Sequence, residues 1–181
     1  MSIIQDGKGT GKVAEVDANN MLAVKAVTIT EEHYATHTQG KGWHIVVQQT
    51  PTGANDNFLY FKNISEDETY IIEGFDSRVA SAETIEVYLN PNGTTSGGTD
   101  VTPTNSNTSH QATSMSATIE AGNDITGLSN GNLFHRIYLT NTDTKHTNFN
   151  LDLALEPGGS FVVRAVNGSI QTDLTFQVYS G

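Results

Sequence analysis

Apolar and polar side chains alternate with a two-residue period along most of this chain, with no helical period beside it. An extended backbone points successive side chains to opposite faces, so each such segment makes a strand with one buried face. Trp43, Ile45 and Val47 alternate with His44, Val46 and Gln48, and Phe58, Tyr60 and Lys62 with Leu59, Phe61 and Asn63. Ile85, Val87 and Leu89 alternate with Glu86, Tyr88 and Asn90. The same reading covers Leu22/Val24/Ala26, Leu133 to Leu139, Leu151/Leu153/Leu155, Phe161 to Val166, and Leu174/Phe176/Val178. About eight to ten such strands point to an all-β fold: a single-domain antiparallel β-sandwich, jelly-roll-like. A length of 181 residues suits one such core.

Turn signals separate the strands: residues 51–57, Pro91-Asn92-Gly93, Ser129-Asn130-Gly131-Asn132, Pro157-Gly158-Gly159 and Asn167-Gly168. Leu155 to Phe161 reads as a tight hairpin, and Glu66-Asp67-Glu68 as another hairpin tip. Thr30 to His37 is the one stretch with helical character; Thr30 is placed to cap a single turn, with Glu31 and Glu32 at its positive end.

Two segments stand apart. Residues 1–12 carry Gly7, Gly9 and Gly11 with Lys8 and Lys12 between them, a composition that suits a flexible or extended N-terminal arm ahead of a β-sandwich domain over residues 13–181. Residues 91–112 are rich in Gly, Thr and Asn, with Val101 their one aliphatic larger than alanine, and read as a long functional loop or a subunit contact.

Charge and composition narrow the function. Nine Lys plus Arg against twenty Asp plus Glu give a net charge of -11, which opposes a groove for phosphate backbones, so no nucleic-acid partner is expected. The absence of cysteine excludes thiolate nucleophiles, disulfides and Cys-ligated metals. No apolar run approaches a spanning helix and the first residues do not resemble a secretory signal, so no membrane association and synthesis in the cytoplasm are expected.

Candidate chemistry is sparse. Gly7-Lys8-Gly9-Thr10-Gly11-Lys12 has the flavour of a phosphate loop, but Val13 stands where the magnesium-binding hydroxyl is required and Asp6 where the first glycine should be. His33 and His37 share a helical face that could aim both at a metal with Glu31 or Glu32, yet Tyr34 occupies the general-base position of the zinc-protease motif; solvated histidines are the simpler reading. His44, His110, His135 and His146 have no obvious pairing. Acids from Glu66 to Glu86 include possible glycosidase pairs, and Asn55-Asp56-Asn57 and Asn123-Asp124 possible calcium tips, but turn formation and solvated strand faces account for them. No nucleophile elbow is present, and four Asn-x-Ser/Thr triplets, at Asn63, Asn92, Asn107 and Asn167, follow from composition. No catalytic residue, cofactor or metal is therefore expected.

Four stretches, in order, resemble the small β-rich virion proteins of tailed bacteriophages that serve as capsid decoration (cement) or head-fibre proteins. They are the Gly-rich start from Gly7 to Val16 leading to Asn20-Met21-Leu22; Val27 to Ala35 followed by Gly42; Asn57-Phe58-Leu59-Tyr60-Phe61-Lys62-Asn63-Ile64-Ser65; and Thr102 to Asn107 with Ala117-Thr118, then Leu155 to Phe161. The resemblance implies a non-enzymatic structural protein on the outer surface of a phage head, bound to the major capsid protein as a homotrimer, with Lys8, Gly9, Thr10, Gly11 and Lys12 meeting acidic capsid surface. The alternative is a tail- or head-fibre or host glycan-binding module, for which Tyr88 and Tyr179 are the sugar-stacking candidates and Trp43 a core residue. A third class, a β-sandwich lyase or glycosidase, needs acids gathered in a cleft with His33, His37 or Arg136.

Overall fold

The computed structural model describes residues 3–5, 13–15, 33–110, 114–129, 131–140 and 144–180. By its contacts the chain divides into a unit of residues 1–30 and a unit of residues 31–181. In the first, Ile3–Gln5 (β1) pairs antiparallel with Val13–Glu15 (β2). The Leu22/Val24/Ala26 segment lies outside the described residues, as do residues 6–12 between β1 and β2.

In the second unit the strands are Gly42–Gln49 (β3), Asp56–Asn63 (β4), Tyr70–Val79 (β5), Glu83–Leu89 (β6), Asn92–Ser96 (β7), Thr99–Asp100 (β8), Thr104–Asn105 (β9), Ala117–Ala121 (β10), Thr126–Ser129 (β11), Asn132–Leu139 (β12), Lys145–Leu155 (β13), Ser160–Ala165 (β14) and Thr172–Ser180 (β15). They form a five-stranded sheet, β13-β5-β15-β3-β9, a six-stranded sheet, β12-β6-β14-β4-β10-β8, and a ribbon, β11-β7. Setting aside the strands of residues 92–129 leaves two four-stranded sheets, β13-β5-β15-β3 and β12-β6-β14-β4. The chain alternates between them at every step except from β6 to β12, which are neighbours, and this is the jelly-roll order.

Strand periodicity sets the core. Trp43, Ile45 and Val47 of β3, Leu174, Phe176 and Val178 of β15, and Ile85 and Val87 of β6 all turn into one buried cluster. At its centre Phe61 and Phe161, direct partners across β4 and β14, stack at 5.3 Å, with Phe75 and Phe176 edge-on or tilted against Phe161 at 5.9 and 6.0 Å. A second, smaller cluster lies on the outer face of the six-stranded sheet. Tyr60 and Val162 pack there with Ile125 against Tyr88 and Leu128, under the β7/β11 ribbon. This explains why Phe58 to Phe61 are all buried although the segment alternates: both faces of β4 are covered.

Three expectations about connections change. Leu155 to Phe161 is a tight turn, with Gly158 at φ 82°, but β13 and β14 lie in different sheets, so it is a corner between layers and not a hairpin. The Glu66-Asp67-Glu68 tip likewise joins β4 of one sheet to β5 of the other. The same Pro, Gly and Asp residues serve either geometry, so composition cannot separate them. The helical turn forms as a six-residue π-helical turn, Tyr34–Gln39, which overlaps the second half of the Thr30 to His37 stretch and runs two residues past it; Thr30 is outside the described residues. Gly40 ends it in the left-handed region (φ 68°), where an added Cβ would also fall 2.3 Å from the His110 Cβ.

Residues 91–110, expected as a long loop, are instead strapped to both sheets; residues 111–113 lie outside the described part. β7 pairs with β11, β8 extends the six-stranded sheet through β10, and β9 extends the five-stranded sheet through Trp43 and His44. Asn105 donates to the Gly40 carbonyl at 2.6 Å, and Asn107 to that of Thr36 at 3.3 Å. A polar segment with little to bury thus satisfies its backbone by pairing, and blunts the β3 and β10 edges with two-residue strands that offer little for another chain to extend.

Candidate functional site

Two features on the six-stranded sheet dominate the sandwich: a charged cluster on its outer face and an open edge. Glu86 points outward from the middle of β6, as its alternation requires, yet it is only 4% exposed. Its cross-strand neighbours are Arg136 on β12 and Arg164 on β14. Arg136 donates through Nε to Glu86 Oε1 at 2.8 Å, and its terminal nitrogen pairs with the same oxygen. Arg164 pairs with Oε2, Tyr88 Oη donates to Oε2 at 2.7 Å, and the Arg164 guanidinium lies 4.5 Å from the Tyr88 ring centroid. Burial alone would push the Glu86 carboxyl up, but hydrogen bonds from Arg164, Tyr88 and Arg136 together with the Arg164 charge bring it down to about 2. A carboxylate held so firmly ionised is a clamp across three strands and is unsuited to moving protons near neutral pH.

Arg136 and Tyr88 are therefore accounted for here. Arg136 is bound to Glu86, and Tyr88 stacks with Arg164 and adjoins the small outer cluster, which removes it as a sugar platform. Glu83, also buried, accepts from the amides of Thr84, Asn167 and Gly168 at 2.7, 2.8 and 3.0 Å and pins the corner between β14 and β15 to the start of β6.

The other sequence candidates resolve mostly into structure. Trp43 is core, edge-on to Tyr70 at 6.0 Å. Asp56 accepts from Thr52 and from the Gly53 amide, and Asn123 from the Thr50 amide, so both tips are occupied with turn formation. Asn63 is fully buried and donates to the carbonyls of Glu68 and Leu155, which closes that glycosylation triplet to modification. His33 is exposed at the start of the π-helical turn, while the His37 side chain and the Lys8 to Lys12 segment lie outside the described residues. Among the described residues no three His, Asp or Glu come together as metal ligands. Tyr179 points outward but is 6% exposed, lining a cleft on the opposite sheet.

Among the described residues, β12 is the open edge. It ends the six-stranded sheet, as β13 ends the five-stranded sheet on the same side of the sandwich. Leu133, Phe134 and Tyr138 of β12 are 47, 38 and 62% exposed, half of the large exposed hydrophobics among the described residues. Phe134 leans on Phe149 at 5.3 Å, tying the edge to the core. Among the described residues no helix is long and apolar enough to cross a membrane. Compared with known proteins, the chain matches no family model, no curated protein and no solved structure.

Proposed function

We propose that this protein is a non-enzymatic structural component of a tailed-phage virion, a decoration protein that binds the outer surface of the head and stabilises it. The observation that carries the reading is the asymmetry of the sandwich edges. Among the described residues, one side is blunted by β8 and β9, while the β12 side keeps an eight-residue strand at a sheet end with three large apolar side chains exposed. An edge of that kind is an invitation to pair, and a chain that keeps it open has a use for it. The occupant is a second copy of the chain, meeting β12 in a homotrimer. Decoration then follows from multivalency: several weak contacts per trimer, repeated over the shell, add to a strong attachment. The order of the four resembling stretches supports the same reading, with Lys8 to Lys12 as the contact to the capsid. A net charge of -11 keeps densely packed copies from self-association through their outward faces.

The test is the double variant Leu133→Glu/Tyr138→Glu. Both side chains are exposed, so the monomer fold is expected to survive with its far-ultraviolet dichroism unchanged. Analytical ultracentrifugation is expected to show a trimer for the natural protein and a monomer for the variant, and the variant is expected to lose binding to empty heads. A natural protein that sediments as a monomer, or a variant that still assembles, contradicts the edge assignment. A fibre or glycan-binding module is the second reading, favoured by the cleft that Tyr179 lines.

A further inference from the structure

The outer face of the five-stranded sheet carries a cleft of about 170 Å³ whose origin is a break in two ladders at once. β5 and β15 fall out of register between the pairs Asp76/Thr175 and Ile71/Tyr179, and β5 and β13 between Gly74/Asn148 and Ile72/Leu153. Bulges re-aim side chains, and here they open the pleat around Glu73 and Gly74. Gly74 is required: a Cβ there would stand 2.0 Å from the Thr147 carbonyl oxygen.

We propose that this cleft binds one neutral hexose unit of a glycan. Side chains from four adjacent strands line it: His44 from β3, Glu73 and Asp76 from β5, His146 from β13, and Gln177 and Tyr179 from β15. His146 Nδ1 and Asp76 Oδ1 are 2.7 Å apart, and His44 lies directly across the ladder from Gln177. The carboxylates and the Gln177 amide are planar and can each pair with two neighbouring hydroxyls, which is what a sugar ring presents, and each imidazole adds a single hydrogen bond. Gly74 and the Tyr179 side chain supply apolar surface for the ring's C–H face. Three observations set the class. The volume is below the roughly 300 Å³ at which drug-sized sites begin, so one monosaccharide is the unit. Two carboxylates in the cleft, on a protein of net charge -11, disfavour uronic or sialic acids. The His, Asp and Glu side chains do not converge on a single point as metal ligands. The inference holds for either placement of the protein on a virion and does not depend on the decoration reading.

The experiment is a titration of the full-length, ¹⁵N-labelled protein with D-galactose, D-glucose and N-acetyl-D-glucosamine in turn, followed by amide chemical shifts. At least one sugar is expected to move the Gly74, Thr175 and Gln177 amides with saturation in the millimolar range. Gln177→Ala and His44→Ala, at solvent-facing positions, are each expected to weaken that binding by about tenfold while the rest of the spectrum stays in place. The proposal is overturned if none of the three sugars moves these amides, if the shifts survive both variants, if N-acetylneuraminic acid binds more tightly than the neutral sugars, or if zinc chloride alone saturates the same amides.

Discussion

Replacing Glu86 by glutamine is expected to cost about 3 kcal/mol of folding stability at neutral pH, a loss measured by urea denaturation and seen as a fall in Tm of about 6 to 12 °C. The substitution keeps the shape of the side chain but removes the charge that two arginines share, and Arg164, with 12% of its side chain exposed, is left without a counter-ion. The magnitude agrees with the titration of the group itself, from an ordinary 4.5 to about 2 in the fold. Because the folded carboxyl titrates below the unfolded one, its stabilisation is complete above about pH 4.5, shrinks as pH falls, and is gone below about pH 2. The Glu86→Gln variant is therefore expected to lose less stability than the natural protein between those values. The double variant Glu86→Leu/Arg164→Met, which removes the pair together beside the apolar Tyr60, Ile125 and Val162 cluster, is expected to recover most of the loss. A single variant as stable as the natural protein would falsify the clamp.

Phe161→Ala is expected to be the most damaging single truncation, at about 3 to 5 kcal/mol, or a Tm lower by about 6 to 20 °C. Phe161 is fully buried where the sheets meet, stacked on Phe61 and in ring contact with Phe75 and Phe176, so the cavity left behind is walled by three large side chains that cannot all collapse into it. Phe161→Leu, which refills most of the space, is expected to cost much less. Calorimetry checks both, and equal losses for Ala and Leu would mean that ring packing is not what holds the two sheets.

Much of this fold is legible in the sequence because alternation survives wherever one face of a strand meets the core, as in Trp43/Ile45/Val47 and Leu174/Phe176/Val178. Where the pattern breaks, the reading fails for identifiable reasons. β5, a central strand, hides its period behind Glu73-Gly74, the bulge that shifts Phe75 back onto the core face. β10 and the short strands β7 to β9 and β11 carry few large apolar residues, and are fixed by backbone pairing to strands distant in sequence. The charged cluster was invisible for a different reason. Glu86, Arg136 and Arg164 are each unremarkable on a polar face, and become a buried clamp only once β12, β6 and β14 are known to be neighbours in that register. Tyr179 shows the converse, an outward tyrosine identified from alternation whose surroundings needed the bulge to be seen.

Whether the protein coats a capsid is decided by its copy number in purified virions, counted by quantitative mass spectrometry against the major capsid protein. Copies in the hundreds, in a fixed ratio to capsid subunits, are expected. A dozen copies or fewer would contradict it in favour of a fibre or vertex component, and absence from the particles would contradict any virion role.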